Sequence, residues 1–534
     1  MSPLLQPLEL LTPELSVYFV FNLVVAALTS VGIFFLCRVR GKAPARFAFV
    51  LIGFVHLCYQ WPLVLFSTVV VERIQTAWSL GIFVHVFVLA NLLWLFLTRR
   101  MDPPGAFAQA EGFKIQDVLA GLIVIIPLVV VYLSKVPFSC TALYALLFDP
   151  QLTLLAREFS LKFVGMAAAA YSYGAVANVA APFLVSMSFM VGVIAIRKGQ
   201  YIYAVAMVAV FVGAVLSALL IGAKGMLIPS ILMLTVTVAL WNNSWFMRFV
   251  GVLSSLVFLG CILVAFELSK ERGNSVGRNY DFASCSLQMG VCEKSAQLLE
   301  SVGARKVISL GISHNVLDYL KERLDIGCSG KDLSLYPLKT FPNDVKLGAV
   351  EKKGAEQNKG AERSRGVIYA EALFYRAFVT PFQVSIWHNM YVLDHGSPGM
   401  GALPLANRFL DKHINMPEQV FQHYASVYLG GDKTSTGTAP TGFMMAYPAY
   451  WGLLGLLLAV SVVLVVDVVF SLLMAFCPSR LRPLAVGLMV VSSYNFLISD
   501  FGTVLLSHGL IAGWIILFLM SFVDKLKQRD RNAV

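Results

Sequence analysis

The chain has 534 residues, of which 58% are hydrophobic and 13% charged, with a mean hydropathy of +0.75. Those values exclude a soluble domain and describe a polytopic membrane protein. The net charge of +11 does not call for nucleic acid, because in such a protein the surplus Lys and Arg belong to short cytoplasmic loops.

Met1 to Glu14 lacks a basic n-region, and the first apolar run is long enough to stay as an anchor. Apolar runs of spanning length follow at about residues 16–37, 47–71, 77–98, 117–134, 178–196, 201–222, 225–241, 249–267, 446–476, 484–499 and 501–523. The expected fold is therefore all-α: a polytopic transmembrane bundle of about eleven spans. Residues 1–267 carry eight of them, 268–446 form one large extracytoplasmic loop, and 447–534 carry the last three with a cytoplasmic tail.

The cations of the short loops fall into six clusters: Arg38 to Arg46, Arg99 to Lys114, Arg197 and Lys198, Arg248, Arg480 and Arg482, and Lys525 to Arg531. In an eleven-span arrangement all six lie on one side, which places the C-terminus in the cytoplasm and the N-terminus and the long insert outside.

Between the fourth and fifth runs, Leu152, Leu155, Phe159 and Phe163 recur at helical spacing opposite Arg157, Glu158 and Lys162. This predicts an amphipathic helix lying in the outer interface. Ala167 to Ala170, with Tyr171 and Tyr173, reads as a re-entrant turn. Most spans are clean, the exceptions being His56, Gln60, His85, Asn91 and Asp467. Asp467 reads as solitary, with no second carboxylate or buried lysine as a relay partner. Lys224 interrupts two apolar runs as GAKGM on the outer side, against the charge rule; it is either a site cation or an interfacial lysine reaching for lipid phosphates.

Cys140, Cys285, Cys292 and Cys328 all fall outside, and an even number in an oxidising compartment suggests disulfides. Cys285 to Cys292 is the easiest loop to close, with Cys140 to Cys328 as the leftover pair. The chain contains no GxGxxG, Walker loop, HExxH or GxSxG, so nucleotide hydrolysis and the common hydrolase chemistries have no support. The insert offers neither metal-ligand spacing nor a carboxylate cluster suited to Mg²⁺, and no cofactor or metal is expected. The last part of the insert, Glu371 to Phe443, is taken as the site, because aromatic residues and single charges alternate there around Arg376, Trp387 and His388, whereas the rest of the insert is Lys/Glu-rich and Gly-punctuated.

Three stretches carry a resemblance: GAKGMLIPSILML from Gly222, YRAFVTPFQV from Tyr375 and TAPTGFMMAYPAYWGLLG from Thr438. In their order and character they resemble the bacterial oligosaccharide repeat-unit polymerases (O-antigen or Wzy-type polymerases) and, more distantly, the O-antigen ligases. Lys224 stands where that family more often has arginine. The ligases carry a His-Asn pair close before a membrane helix, whereas His388 and Asn389 are followed by about fifty further loop residues before the next apolar run, which favours polymerase over ligase.

The resemblance implies glycosyl transfer from a polyprenyl-diphosphate-linked oligosaccharide in surface polysaccharide (lipopolysaccharide) biosynthesis. Membrane lipid and a chain-length-regulating co-polymerase would be its partners. Such a reaction puts negative charge on the leaving diphosphate, for which Arg376, Lys224 and Arg157 are the available cations. The acceptor hydroxyl needs a base: His388 first, with Glu371, Asp394 and His423 in reserve. Trp387, Tyr391, Tyr424 and Tyr428 are placed to stack on sugars, or equally to anchor the interface. A ligase-type transferase and a flippase of lipid-linked oligosaccharide are the alternatives.

Overall fold

The computed structural model describes residues 13–40, 46–65, 74–98, 112–149, 152–162, 173–220, 227–241, 280–301, 314–332, 380–402, 414–425 and 439–533, with positions 249 and 253. Among the described residues every regular element is helical. Nine stretches among the described residues are long and apolar enough to cross a membrane: Val17–Arg38, Phe47–Val64, Trp78–Leu97, Ile115–Leu133, Tyr173–Arg197, Tyr201–Ala218, Phe443–Phe476, Ser479–Ile498 and Phe501–Leu526. The protein is a multi-pass membrane protein. Of the eleven expected runs, the one at 225–241 is a shorter helix, Ile228–Trp241, and the one at 249–267 lies almost wholly outside the described residues.

The chain forms two compact units. The first takes in Met1–Ala108, Glu362–Cys477 and Leu488–Leu505. Its helices are α1 (Pro13–Arg40), α2 (Phe47–Val55, continued through a π turn His56–Gln60 into Trp61–Leu65) and α3 (Ile74–Leu97). The second unit takes in Gln109–Ala361, Pro478–Gly487 and Leu506–Val534. It contains α4 (Ile115–Leu133), α5 (Ala142–Phe148), α6 (Thr153–Lys162), α7 (Ala181–Arg197), α8 (Tyr201–Ala218), α9 (Ile228–Trp241), α10 (Phe282–Gln288), α11 (Cys292–Ser301) and α12 (His314–Cys328). The first unit resumes with α13 (Thr380–His395), α14 (Met416–Val420) and α15 (Phe443–Phe476). Then come α16 (Arg482–Ile498), assigned to the second unit up to Gly487 and to the first from Leu488, α17 (Phe501–Leu505) in the first unit and α18 (Leu510–Ala533) in the second.

In the first unit, a buried ion pair gathers three helix ends. Arg46, just before α2, and Asp467, on α15, both have fully buried side chains and are bonded to each other. Arg46 also donates to the carbonyl of Thr98, just past α3, at 3.2 Å. Asp467 further accepts from the Ala48 amide at 3.0 Å and the Trp94 indole at 2.9 Å. Removing two charges from water is costly, and only this density of hydrogen bonds offsets it. Asp467 is thus not solitary. Its partner is a cation expected to be a free loop charge, 421 positions away.

A second polar chain crosses α1 to α3. Asn22 Oδ1 can only accept, so His85 Nε2 carries a proton to it (2.8 Å), and His85 Nδ1 accepts from Gln60 Nε2 (3.0 Å). Gln60 Oε1 in turn accepts from His56 Nδ1 at 2.6 Å, and the Trp61 indole donates to His56 Nε2 at 3.0 Å. The order of donors is consistent with two neutral histidines, and it satisfies each of their ring nitrogens within the bundle. The π turn widens α2 here, and Tyr59, within that turn, donates to the Leu497 carbonyl at 2.9 Å.

In the second unit the four cysteines expected outside form two disulfides, but the expected connectivity is corrected: Cys140 pairs with Cys285 and Cys292 with Cys328. The physical reason is that the segment before α5 packs on α10. Tyr280 donates its hydroxyl to the Cys140 carbonyl (3.2 Å) and its amide to Asp149 (2.6 Å). Phe159 meets Phe282 at 4.6 Å between ring centroids. Leu155 and Phe159 of the apolar stripe of α6, and Leu152 just before it, are accordingly buried within the protein. Phe163 and the expected re-entrant turn, apart from Tyr173, lie outside the described residues. Arg480, another expected loop cation, is buried between Asp117 of α4 (3.2 Å) and Asp524 of α18 (2.6 Å).

Candidate functional site

The first unit contains a cavity of about 320 Å³. Its wall includes Thr441 at the entry to α15, Tyr447 and Tyr450 on its first turns, Ser499 and Asp500 after α16, Thr503 on α17, His388 on α13 and Asn415 before α14.

The sequence from Thr441 to Gly455 builds this wall through its glycines and proline. Gly442 runs against the end of α16, where the Phe443 amide bonds to the Ser499 carbonyl at 3.2 Å. A Cβ at Gly442 would lie 2.4 Å from the Phe496 carbonyl oxygen, so no larger residue fits. Within α15, Pro448 removes one ladder donor and Gly452 adopts φ 57°, ψ −130°. That backbone is open to glycine and strained for any side chain, and the 34-residue helix is two segments meeting at a kink. The carbonyl of Tyr450 beside the kink accepts from Ser397 Oγ at 2.6 Å, and Trp451 Nε1 donates to the Gly399 carbonyl at 3.2 Å. The turn that follows α13 thereby holds the kink and sets the rings of Tyr447, Tyr450 and Trp451 together, with centroids 5.1 and 5.7 Å apart.

Asp500 is the acid of the cavity. Tyr447 donates its hydroxyl to Oδ1 at 2.9 Å and the Thr503 amide donates to Oδ2 at 3.0 Å. These two neutral donors leave part of the acceptor capacity of an ionised carboxylate available.

His388 is 1% exposed. Its Nε2 lies 2.8 Å from the Ala439 carbonyl, which can only accept, so Nε2 carries the proton. Nδ1 then accepts from the Tyr450 hydroxyl at 2.6 Å. Burial pushes the imidazole down to about 4, partly opposed by the bond to Ala439. Expected as the direct base, His388 instead has its one basic lone pair taken up by Tyr450. In this geometry it orients that hydroxyl. Asn389 donates to the Ser385 carbonyl within its own helix at 2.9 Å. Ser385 Oγ lies 2.6 Å from Thr441 Oγ1 beneath the cavity.

The other expected residues are distributed as follows. Trp387 and Tyr391 share α13 with His388 but are not among the residues that line the cavity. Tyr391 stacks on His395 at 4.3 Å and meets the edge of His423 at 5.4 Å, and burial raises its phenol. Asp394 accepts from Tyr424. Arg157 belongs to the second unit, on α6, where its Nε is buried with no hydrogen-bond partner among the described residues. Lys224, Glu371, Arg376 and Tyr428 lie outside the described residues.

The sequence reading missed Asp500, Tyr447 and Tyr450. Asp500 had a visible signal as a lone carboxylate between two apolar runs, at the end opposite the Arg480–Arg482 cluster. The two tyrosines stood inside the resembling segment MMAYPAYWG without being singled out. Among the described residues no group of three His, Cys, Asp or Glu side chains is arranged to hold a metal ion. Comparison with family models, with curated proteins and with solved structures finds no match for this chain.

Proposed function

We propose that this protein extends a polyprenyl-diphosphate-linked glycan by glycosyl transfer at the outer face of the cytoplasmic membrane, as an oligosaccharide repeat-unit polymerase. The observation that carries the reading is the Asp500 carboxylate, held by Tyr447, in a cavity walled by the segment that resembles those enzymes.

The position along the helices supports the outer face. From Gly452 to Asp467 the axis of α15 advances roughly 20 Å, so the cavity and the Arg46–Asp467 pair lie toward opposite ends of one span. The charge rule assigns the Arg46 end to the cytoplasm. Two disulfides in the second unit fit an oxidising compartment for the loops that hold them.

In the reaction, an acceptor hydroxyl attacks the anomeric carbon of the donor. The bond from that carbon to the diphosphate oxygen breaks, and its electron pair leaves with the diphosphate. Asp500 takes the hydroxyl proton as the new glycosidic bond forms. Tyr450, oriented by His388, is a second hydroxyl at the cavity wall. The leaving charge calls for a fixed cation, and of the three named from the sequence Arg376 keeps that assignment, as the one that belongs to the same unit as the cavity.

The flippase alternative needs a hydrated polar path across the bundle. The polar chain on α1 to α3 closes its hydrogen bonds internally, which favours a fixed strut over such a path.

The test is turnover. Purified protein in lipid nanodiscs should lengthen a polyprenyl-diphosphate oligosaccharide, and Asp500→Asn should slow that reaction by about 10² to 10⁴. A fully active Asp500→Asn protein would remove Asp500 from the chemistry.

A further inference from the structure

We propose that the cavity is the acceptor-sugar subsite and that it selects an uncharged or amino-bearing pyranose over an acidic one. The inference rests on the glycosyl-transfer reading and adds the chemical class of the ring that enters.

Size comes first: about 320 Å³ is at the small end of ligand sites, suited to one or two sugar rings and too small for a lipid-linked repeat unit. The chemistry of the wall suits such a ring. Tyr447 and Tyr450, backed by Trp451, offer aromatic surface for the apolar face of a pyranose. Asn415 and Thr503 stand beside them as neutral polar groups.

Charge then narrows the choice. Among the described lining residues Asp500 is the one carboxylate, and no Lys or Arg joins it. Its two partners among the described residues, the Tyr447 hydroxyl and the Thr503 amide, are neutral and bring no compensating charge. A carboxylate binds adjacent sugar hydroxyls through paired O–H···O⁻ bonds stronger than neutral ones, and it attracts an ammonium group. A second carboxylate, carried in on a uronic acid, meets like-charge repulsion from Asp500. The same field disfavours a diphosphate, which is why the cavity is assigned to the acceptor and not to the donor's leaving group.

The test measures binding of three trisaccharides to the full chain in nanodiscs, identical except for a non-reducing glucose, glucosamine or glucuronate. The glucose and glucosamine compounds should bind, and the glucuronate compound should bind at least about ten-fold more weakly, with the gap narrowing as salt rises. Asp500→Asn should abolish the discrimination, while Tyr447→Phe, which keeps the carboxylate, should retain it. Equal or tighter binding of the glucuronate compound, discrimination that survives in Asp500→Asn, or no binding of any of the three would overturn the proposal. Polymerisation of a lipid-linked substrate is scored separately. Selective binding without polymerisation sinks the glycosyl-transfer reading and leaves a sugar subsite, whereas polymerisation without selectivity sinks only the subsite.

Discussion

His388 and Tyr450 form a buried pair in which the imidazole Nε2–H is held by the Ala439 carbonyl at 2.8 Å and Nδ1 accepts the Tyr450 hydroxyl at 2.6 Å. Because the carbonyl decides the tautomer, the ring is a fixed acceptor for Tyr450. Protonating it would put a charge where burial disfavours one.

This pair makes stability depend on acid. The folded imidazole is lowered to about 4 against an unfolded value near 6.5, so below pH 6.5 the unfolded chain binds the extra proton. The contribution is therefore complete above pH 6.5 and is lost progressively as pH falls toward 4, by up to about 3 kcal/mol. Thermal unfolding in detergent, followed from pH 7.5 to 4, should show a steeper loss for wild type than for His388→Asn. Parallel curves would show that His388 is not the neutral buried group described.

Asp467 holds Arg46 in the protein interior, and cutting one side of the pair strands the other. Asp467→Ala should cost about 3–5 kcal/mol, because an uncompensated guanidinium is left buried. The double variant Arg46→Met with Asp467→Leu should recover most of that loss. A double variant as unstable as the single one would mean that the hydrogen bonds to Ala48 and Trp94, and not the charge pairing, dominate.

Gly452 is the hinge of the cavity wall. A side chain at φ 57°, ψ −130° should cost about 1–3 kcal/mol, so Gly452→Ala should lower the melting temperature and displace Tyr450. Gly213→Ala, on α8 with open space around its Cα, should be neutral or slightly stabilising. Matching effects of the two variants would argue against the kink.

Non-reducing proteolysis and mass spectrometry should recover linked peptides for Cys140–Cys285 and Cys292–Cys328. The second bridge closes a loop of 36 positions, and its removal by Cys292→Ser with Cys328→Ser should cost about 3–4 kcal/mol on chain-entropy grounds. A Cys285–Cys292 peptide would restore the connectivity expected from sequence and contradict the packing of α10 on the segment before α5.

What the sequence made legible follows from what is local. Apolar runs need only composition and length, and among the described residues nine of them are helices of spanning length. The partners of Asp467 and Cys140 are 421 and 145 positions away, and no spacing rule reaches that far. Proximity in sequence made Cys285–Cys292 look easiest to close, yet helix α10 carries Cys285 onto the segment before α5. Aromatic density marked α13 as the site. His388 of α13 does line the cavity, but Tyr447, Tyr450 and Asp500 come from the kinked start of α15 and the turn before α17, because glycine and proline geometry aims side chains in ways that periodicity does not encode.

The most direct test of the central claim is the product length distribution when purified wild-type and Arg376→Ala proteins receive a polyprenyl-diphosphate oligosaccharide. The account predicts a ladder of lengthened chains from wild type. Arg376→Ala, at equal protein level, should run about 10²- to 10³-fold slower, as expected for loss of one charge-assisted donor to the leaving group. Wild-type protein that leaves the substrate at its starting length, or an Arg376→Ala variant that polymerises at the wild-type rate, would contradict it.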